Sequence, residues 1–600
     1  MRAAALPQRS EVPVADTWDV TSIYPDDAAF DAALARIAAE LPAAAAYAGR
    51  LHEGAGVLAD WMSAKEALLS ELAKAGTYAM GYYAVDTADQ TAAARQERVA
   101  ELSSQVDAAL SFEEPELLAV GLPTLRSWVA SEPRLAHYGH YLDELERQQS
   151  HVRSTEVEEV LGLAGSPMGT ARGTHAILTD ADLRFEDAVD SEGRAHSVEQ
   201  GTIDALLQSP DGVLRKSAWE RYADGALSVR NTLANCLATG IKQDIFIARA
   251  RRYPSSLVAA LDGTTVPEPV YYQTLDANVR NLPVWHRFWR LLGKLLGRRA
   301  GVWDIAAPLA PNPEIPFEQA LEWICAGLAP MGEDYVKIMR CGVTEQRWVD
   351  KYPNAAKTPG AFSAGVPGTH PFILLNYMPD AAGLSTLAHE LGHSMHSYLA
   401  WQTQPFIYGE YTIFAAEVAS NTHQALVRDW LMRSQPSREL QIALLLETIA
   451  NLHRYLFLMP TLARFELEAH QRAERGEPLT AEVLSGILAE YFAQGYSGEM
   501  EGDAERIGIT WAHFPHHLYA NFYVYQYATG IAAAQVLSKK LLAGEPGALE
   551  RYLGFLSAGG SRYPLDALLE AGVDMRAPEP MQAAYDYLAQ VITRLEELLG

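Results

Sequence analysis

Cysteine and long apolar runs are scarce in this chain of 600 residues, and both shortages limit what it can be. Its three cysteines, Cys236, Cys325 and Cys341, are odd in number and lack metal-type spacing, which excludes a disulfide framework and a thiolate metal site. The N-terminus turns to Pro7 without the apolar core of a signal peptide, and no apolar run reaches the roughly 20 residues of a membrane span. These absences predict a cytoplasmic protein that has no membrane partner.

Basic residues are also in deficit, since 48 Lys and Arg stand against 75 Asp and Glu, for a formal net charge of −27. Nucleic acids and anionic membranes are bound through basic patches, so neither is an expected partner. An acidic chain is compatible with peptide substrates. Because 49% of the residues are hydrophobic, we expect a globular protein with more than one core.

The chemistry-bearing feature of the chain is the run His389-Glu390-Leu391-Gly392-His393, which lies in a helical setting. Residues four apart share one face of a helix, so His389 and His393 can offer two imidazole nitrogens to one metal ion. Glu390, beside the first histidine, can remain outside the ligand set and take a proton from the water that the metal activates. The pattern therefore indicates a zinc peptidase, with two of the three protein ligands and the general base in five residues.

Two residues are candidates for the third ligand. His396 lies on the same helix face, but ligands at i, i+4 and i+7 of one straight helix converge poorly on a tetrahedral ion. The elongated pattern with a third histidine also requires a glycine and a later histidine, where this chain has His396 and Leu399. Glu417 lies in a second amphipathic helical stretch that can pack antiparallel to the first, and it completes a site of two histidines and one glutamate.

Apolar periodicity organises the rest of the chain. Helical spacing runs from Asp27 to about Arg153, a strand and turn are expected within 183–194, and helices resume from Glu199. We therefore predict an N-terminal helical domain over 1–190 and a catalytic domain over 191–600. A short apolar strand at 371–377 precedes the metal-binding helix; it can hold an extended peptide by main-chain pairing, or it can be a buried structural strand.

These residues resemble the thimet oligopeptidase (M3) family, and specifically its oligoendopeptidase F branch. The resemblance rests first on His-Glu-Leu-Gly-His-Ser-Met-His followed by Glu-Val-Ala-Ser at 417–420. It extends over nearly the whole chain through further matched segments in matching order: 17–21, 24–25, 242–246, 360–363, 523–530 and 557–564.

The resemblance implies a mostly α fold: a two-lobed helical shell around a deep substrate channel, with a small β-sheet near the zinc helix and a thermolysin-like catalytic core. It also implies one Zn²⁺ per chain, Glu417 as the third ligand and Glu390 as the general base. Such a channel would restrict substrates to short unstructured peptides. One departure is visible, because seven residues after the ligand glutamate the family usually carries a second glutamate, and this chain has Gln424.

Peptide hydrolysis builds negative charge on the carbonyl oxygen, and a hydrogen-bond donor placed there assists the metal. The segment 513–527 is dense in histidine and tyrosine. The resemblance places the family's substrate-contacting histidine at His517, with Tyr519 as the nearest tyrosine and Tyr525 preferred over Tyr523 as the next. The alternative for any one of these tyrosines is a buried aromatic helix face.

The leading hypothesis is a cytoplasmic zinc endopeptidase that hydrolyses oligopeptides, acting as a monomer or a homodimer. An exopeptidase of the same fold would need a cationic group to hold a free C-terminus, and a single arginine such as Arg562 does not identify one. A non-catalytic peptide-binding protein is disfavoured by the intact Glu390. A hydrolase without metal is less favoured still, since the chain has no Gly-x-Ser-x-Gly nucleophile elbow.

Overall fold

The computed structural model describes residues 6–434, 437–514 and 520–600. It is 71% helical, which confirms the predicted mostly α class. The α-helices, numbered α1 to α25 in chain order, are Asp27–Ala45, Ala55–Tyr83, Gln90–Leu110, Glu113–Val120, Leu122–Ser131, Gly139–Gln148, Thr155–Met168, Thr170–Ala176, Ile203–Leu207, Gly212–Ser228, Arg230–Ala250, Ser256–Gly263, Glu268–Leu296, Phe317–Gly327, Glu333–Thr344, Ala381–Thr403, Ile413–Ser434, Arg438–His453, Met459–Glu474, Ala481–Tyr496, Ala504–Gly508, Tyr525–Leu542, Ala548–Leu556, Pro564–Ala571 and Glu579–Leu599.

Strands are few and short. They are β1 Ala188–Val189, β2 Ala195–His196, β3 Ala300–Gly301, β4 Val349–Asp350, β5 Phe362–Ala364, β6 Phe372–Leu374 and β7 Met500–Glu501. Strand β1 and the turn that follows it lie within 183–194, where a strand and a turn are expected, and β1 pairs with β2 in an antiparallel hairpin. Strand β3 pairs with β7 in parallel, and the third sheet has the order β4-β6-β5. That third sheet directly precedes the helix of the His-Glu-x-x-His run, as the family resemblance implies.

The chain folds into two compact units, each assembled from three separate stretches. Unit 1 comprises Met1–Thr155, Ile315–Val427 and Lys540–Gly572, and unit 2 comprises Glu156–Glu314, Arg428–Lys539 and Val573–Gly600. The units are interleaved along the chain, whereas the sequence predicts a single division near residue 190. The predicted domains, 1–190 and 191–600, stay a prediction.

The core of unit 1 joins the N-terminal helices to the small sheet. Trp18, Trp61 and Tyr78 from the N-terminal stretch form one hydrophobic cluster with Phe372 and Leu374 of β6. The rings of Trp18 and Phe372 meet edge to face with centroids 6.1 Å apart. Burial of these aromatic side chains therefore ties residues far apart in sequence to the strand that leads into the metal-binding helix.

The register of the three-stranded sheet decides between the two interpretations of the strand at 371–377. In β6, Ile373 is paired with Val349 of β4 on one side and with Ser363 of β5 on the other. Both edges of β6 are thus occupied, and all three of its residues are buried. Strand β6 is therefore a buried structural strand, and the two edge strands of this sheet are β4 and β5.

Helices α16 and α17 carry the predicted ligands and pack closely against each other. The chain leaves β6, and the Asp380 side chain accepts a hydrogen bond from Gly383 N at 2.9 Å, which caps the start of α16. A Cβ at Gly392 would lie 2.6 Å from Ser420 Cα and 2.8 Å from Ala419 O of α17. Only a residue without a side chain permits this approach, so Gly392 sets the distance between the two helices.

Unit 2 is built around a cluster of aromatic rings on α13. Trp285 and Trp289 stack with centroids 5.6 Å apart, and His453 and Phe457 pack against both. The stretch Arg438–Glu474, which includes these last two residues, is the one candidate membrane span among the described residues by length and composition. Since 56% of its most apolar window is buried inside the protein, a core helix explains the composition equally well.

We predict that Gly392→Ala lowers the Tm, because the added methyl group forces α16 and α17 apart at a cost of about 1–3 kcal/mol. Thermal unfolding followed by circular dichroism measures the change. Gly554→Ala is the matched control in the same unit: Gly554 is an exposed helical glycine of α23 with no atom within 4 Å of the added Cβ. There alanine should keep or raise the Tm. Equal effects at the two positions would contradict the role given to Gly392.

Candidate metal centre

Three side chains from α16 and α17 converge in unit 1. His389 Nε2 lies 3.1 Å from His393 Nε2 and 3.4 Å from Glu417 Oε2, and His393 Nε2 lies 3.9 Å from the same carboxylate oxygen. These are the residues that the sequence analysis proposed as metal ligands, and they form the metal-type cluster found among the described residues. The packing of the two helices thus brings together groups 28 positions apart in sequence.

The spacing of these atoms fits a tetrahedral zinc ion. Zinc binds imidazole nitrogen and carboxylate oxygen at about 2.0–2.2 Å, so two ligand atoms of one tetrahedron lie about 3.3–3.5 Å apart. The three distances, 3.1, 3.4 and 3.9 Å, lie around that value. Two nitrogens and one carboxylate oxygen also form the donor set of catalytic zinc sites that keep a fourth position for water.

Gln424 orients His389. Its amide oxygen accepts a hydrogen bond from His389 Nδ1 at 3.2 Å, while its amide nitrogen donates to the Ser385 hydroxyl at 2.7 Å. Since Nδ1 carries the proton, the lone pair of His389 lies on Nε2, the atom that faces the cluster. The side chain that replaces the family's usual glutamate therefore still holds the imidazole in the ligating tautomer.

Burial keeps His393 neutral. Desolvation lowers its pKa to about 4, with His389 adding to the effect and the Glu417 carboxylate opposing it. Its ring also hydrogen-bonds the main chain of Ala416. A neutral imidazole retains the lone pair that a metal requires, so this histidine needs no deprotonation at neutral pH before it can bind.

Glu417 is held by residues of its own helix. The Ser420 hydroxyl donates either to the Glu417 carboxylate or to its carbonyl oxygen, each at 3.1 Å, and Asn421 donates to that carbonyl at 2.7 Å. Neither Ser385 nor Ser420 is among the site residues predicted from the sequence. The available signal was their position: each lies within four residues of a ligand on the same helix.

Glu390 lies beside the ligands in a setting that favours proton transfer. Its side chain is 5% exposed, and its Oε2 has no hydrogen-bond partner within the described part of the chain. Burial, reinforced by the Glu417 carboxylate and opposed by His389, raises the pKa of Glu390 to about 7. A general base works best when its pKa lies close to the operating pH.

His396, the alternative third ligand, is outside the cluster. Its ring stacks on Tyr411 with centroids 3.7 Å apart and an interplanar angle of 8°, and it packs against Phe555 at 5.2 Å. Burial lowers its pKa to about 3. The Tyr411 hydroxyl in turn lies 2.9 Å from the Ser397 hydroxyl. His396 is therefore a neutral, stacked core side chain of unit 1.

The residues predicted to bind the substrate carbonyl belong to the C-terminal segment. His517 and Tyr519 lie outside the described residues. Tyr525, at the start of α22 in unit 2, is fully buried, and its ring packs edge to face on Tyr271 with centroids 4.9 Å apart. This placement favours a packing role for Tyr525, and its predicted contact with substrate stays untested. The partly buried Tyr523, by contrast, has its hydroxyl 3.1 Å from that of Tyr527.

Comparison with known proteins agrees with this geometry. The sequence profile described as Peptidase family M3 matches residues 205–587, which hold the whole ligand cluster. The chain belongs to peptidase family M3. A second profile, described as Oligopeptidase F, matches residues 116–185.

Relatives of this M3 peptidase match it along almost its entire length. Oligopeptidase PepF of Bacillus subtilis is 34% identical over 100% of this chain and 89% of its own, and group B oligopeptidase PepB of Streptococcus agalactiae is 31% identical over 99% and 98%. The crystal structure of oligoendopeptidase-F from Enterococcus faecium superimposes with a TM-score of 0.75 at 30% identity, covering 96% of this chain and 99% of that one. The protein is thus a metallopeptidase that hydrolyses oligopeptides.

Loss of a residue that only supports a metal ligand lowers metal affinity by about 10- to 100-fold. Glu417 is proposed to bind the metal directly, so we predict that Glu417→Ala weakens zinc binding by more than that. Competition with a chelator of known affinity measures the dissociation constant. His396→Phe, which keeps an aromatic ring between Tyr411 and Phe555, is the control and should bind zinc as the unchanged protein does. A Glu417→Ala protein with unchanged zinc affinity would return His396 to the ligand set.

For Gln424→Ala we expect zinc affinity to fall by about 10- to 100-fold, because His389 loses the partner that fixes its tautomer. Gln424→Glu should bind zinc at least as tightly as the unchanged protein, since a carboxylate is the stronger acceptor for His389 Nδ1–H. The same chelator competition compares the two variants. Equal zinc affinity in all three proteins would show that Gln424 does not orient His389.

Proposed function

We propose that this metallopeptidase is a zinc-dependent endopeptidase that cleaves short oligopeptides at internal bonds. His389, His393 and Glu417 hold one Zn²⁺ per chain, and Glu390 is the general base and then the general acid. We assign these residues to a catalytic domain over 191–600, which follows the N-terminal helical domain over 1–190.

One observation carries the proposal: the buried Glu390 carboxylate lies beside three ligand atoms at tetrahedral spacing. A protein that only binds peptides has no use for a carboxylate of raised pKa next to a metal cluster. His393 of the cluster is neutral at physiological pH, so no proton competes with a metal ion for its lone pair. The arrangement supports hydrolysis by an activated water over peptide binding alone.

The division of labour follows from the residues. A zinc ion, when bound, supplies Lewis acidity that lowers the pKa of water and polarises a carbonyl group. Glu390 takes the proton from the attacking water and delivers it to the leaving amine. We assign His517 and Tyr519 to hydrogen-bond the carbonyl oxygen as its negative charge develops, by resemblance to the family. Tyr525 is the weaker candidate for this role because it is buried in unit 2.

Strand β5 supports an extended substrate in unit 1. It pairs with β6 on one side only, so its other edge is unoccupied in the three-stranded sheet. The Ser363 hydroxyl of β5 lies 2.8 Å from the Ser394 hydroxyl of α16, which fixes this edge relative to the helix of the metal ligands. A peptide added along β5 would have its main chain held by hydrogen bonds regardless of its side chains.

We also propose a cytoplasmic location and activity as a single chain. The cysteines Cys236, Cys325 and Cys341 are free thiols, as is usual in a reducing compartment. All three proposed ligands and Glu390 come from one chain, so the chemistry does not require a second copy. A homodimer would be compatible with the same site.

The deciding prediction concerns Glu390→Gln, which keeps the shape of the side chain and removes its basicity. We expect kcat to fall by about 10²- to 10⁴-fold while one zinc remains bound per chain. Hydrolysis of fluorogenic peptides of graded length gives kcat, and elemental analysis gives zinc content. Glu345→Gln, an exposed carboxyl of the same unit, should keep full activity.

The products identify the class of enzyme. Internal cleavage that stops when a zinc chelator is added and returns with Zn²⁺ supports the endopeptidase. Release of terminal fragments alone would favour the exopeptidase. Substantial turnover by Glu390→Gln would remove Glu390 from the mechanism, and zinc-loaded protein that cuts no peptide would favour a binding protein.

A further inference from the structure

One of the segments that match the family has no part in the function proposed above. It is the run Ser-Ala-Gly-Gly-Ser at 557–561, which lies between α23 and α24 in unit 1 and which we call the glycine loop. The glycine loop contacts residues 404–412, the connector that joins α16 to α17. Because those two helices carry all three proposed metal ligands, a contact that fixes the connector bears on the metal centre.

The glycine loop approaches the main chain of the connector more closely than a side chain allows. A Cβ at Gly559 would lie 2.0 Å from Tyr408 O, and a Cβ at Gly560 would lie 2.7 Å from Glu410 O. Gly559 also has a φ of +50°, in the left-handed region that favours glycine. Gly560 N donates a hydrogen bond to Tyr408 O at 3.0 Å. The two backbones are thus in direct contact, and both positions require glycine.

Further hydrogen bonds hold the connector in place. The Gln404 side chain donates from Nε2 to Ser557 O at 2.8 Å, at the start of the glycine loop. The Tyr408 side chain is 6% exposed, and its hydroxyl donates to His137 O at 2.9 Å and accepts from Tyr141 N at 3.0 Å. The connector is therefore fixed between the glycine loop and an N-terminal stretch of the same unit.

The position of the connector is passed on to the ligands over a short length of chain. Helix α17 begins at Ile413, three residues after Glu410. Its fourth and fifth residues are Ala416, whose main chain hydrogen-bonds the His393 ring, and the ligand Glu417. Because a helix moves as a rigid element, a displacement at Glu410 would shift both residues relative to α16.

The size of such a displacement matters for a metal site. An ordinary contact of a Cβ begins at about 3.4 Å, so alanine at Gly560 would push Glu410 O away by about 0.7 Å. Functional groups must be held within about 0.5 Å of their working geometry. The ligand atoms of the cluster are only 3.1–3.9 Å apart, which leaves little room for a shift of α17.

We propose that Gly559 and Gly560 are positioning residues of the metal centre: their close approach to the connector fixes the start of α17, and thereby the Glu417 carboxylate, against the two histidines of α16. The proposal rests on the metal ligands proposed above. Neither glycine has a side chain that could bind the metal, so their effect must reach the ligands through the connector.

The variant Gly560→Ala tests the close approach alone, because Gly560 is not in the left-handed region. We expect zinc affinity to fall by about 10- to 100-fold, the loss that follows when a group supporting a ligand is removed. Chelator competition on the folded protein, well below its Tm, gives the dissociation constant. Added zinc should also raise the Tm less than it does in the unchanged protein. Unchanged zinc affinity in folded Gly560→Ala would overturn the proposal.

Gly544 provides a control that separates stability from positioning. It belongs to the same unit and has a φ of +61°, but within the described part of the chain no atom lies within 4 Å of an added Cβ. Alanine there should lower the Tm through backbone strain and leave zinc affinity unchanged. An equal loss of zinc affinity in Gly544→Ala and Gly560→Ala would show that destabilisation by itself weakens the site, and the proposal would fail.

Gln404→Ala loosens the same contact without adding bulk, which keeps the proposal testable if Gly560→Ala does not fold. The substitution removes the hydrogen bond to Ser557 O and leaves both glycines in place. We expect a smaller fall in zinc affinity than in Gly560→Ala, measured by the same competition. Full zinc affinity in Gln404→Ala would count against a connector that positions the ligands.

A double-mutant cycle with Glu417→Ala shows whether the glycine loop acts through this ligand. In the Glu417→Ala background, Gly560→Ala should reduce zinc affinity less than it does in the unchanged protein, and a full additional loss would contradict positioning. Full zinc affinity in Glu417→Ala would overturn the proposed ligand set. Weak zinc binding by Glu417→Ala with full affinity in Gly560→Ala would overturn only the role of the glycines.

Discussion

The close approach of α16 and α17 at Gly392 is the constraint on which the rest of the metal centre depends. A tetrahedral ion needs its ligand atoms about 3.3–3.5 Å apart, and helices kept apart by ordinary side chains would leave the Glu417 carboxylate too far from the two histidines. With no Cβ between Gly392 and Ser420, the ligand atoms reach separations of 3.1–3.9 Å. The glycine inside the His-Glu-x-x-His run is thus as much a part of the site as the residues around it.

Burial decides the protonation states that this site needs. Desolvation makes His393 neutral, so it can bind a metal, and raises the pKa of Glu390 towards neutrality, so it can accept and return a proton. Unit 2 also buries a carboxylate, because Glu466 is 1% exposed and accepts a hydrogen bond from Phe522 N at 2.6 Å. In both units, removing water from a carboxylate strengthens its few remaining electrostatic interactions.

Much of the metal centre could be predicted because its pattern is local. Helical periodicity places His389 and His393 on one face, and Glu390 follows from the same five residues. Spacing disfavoured His396 as the third ligand, and the family resemblance then favoured Glu417. In the structure His396 packs between Tyr411 and Phe555, outside the cluster. Residue spacing along the chain does not reveal these packing contacts. Tyr525 is a similar case, since only the fold shows that it is enclosed against Tyr271.

The sequence by itself determined the helical class, the family and the candidate metal ligands, because periodicity and motifs depend on residues close together in the chain. Only the tertiary structure decided that β6 is a central strand, that the two units are interleaved, and that Gln424 keeps His389 in its ligating tautomer. Each of these depends on contacts between residues distant in sequence: a strand acquires its edges from its neighbours, and Gln424 meets His389 across the interface of two helices. Such contacts are set by packing of the whole chain, which a local pattern does not encode.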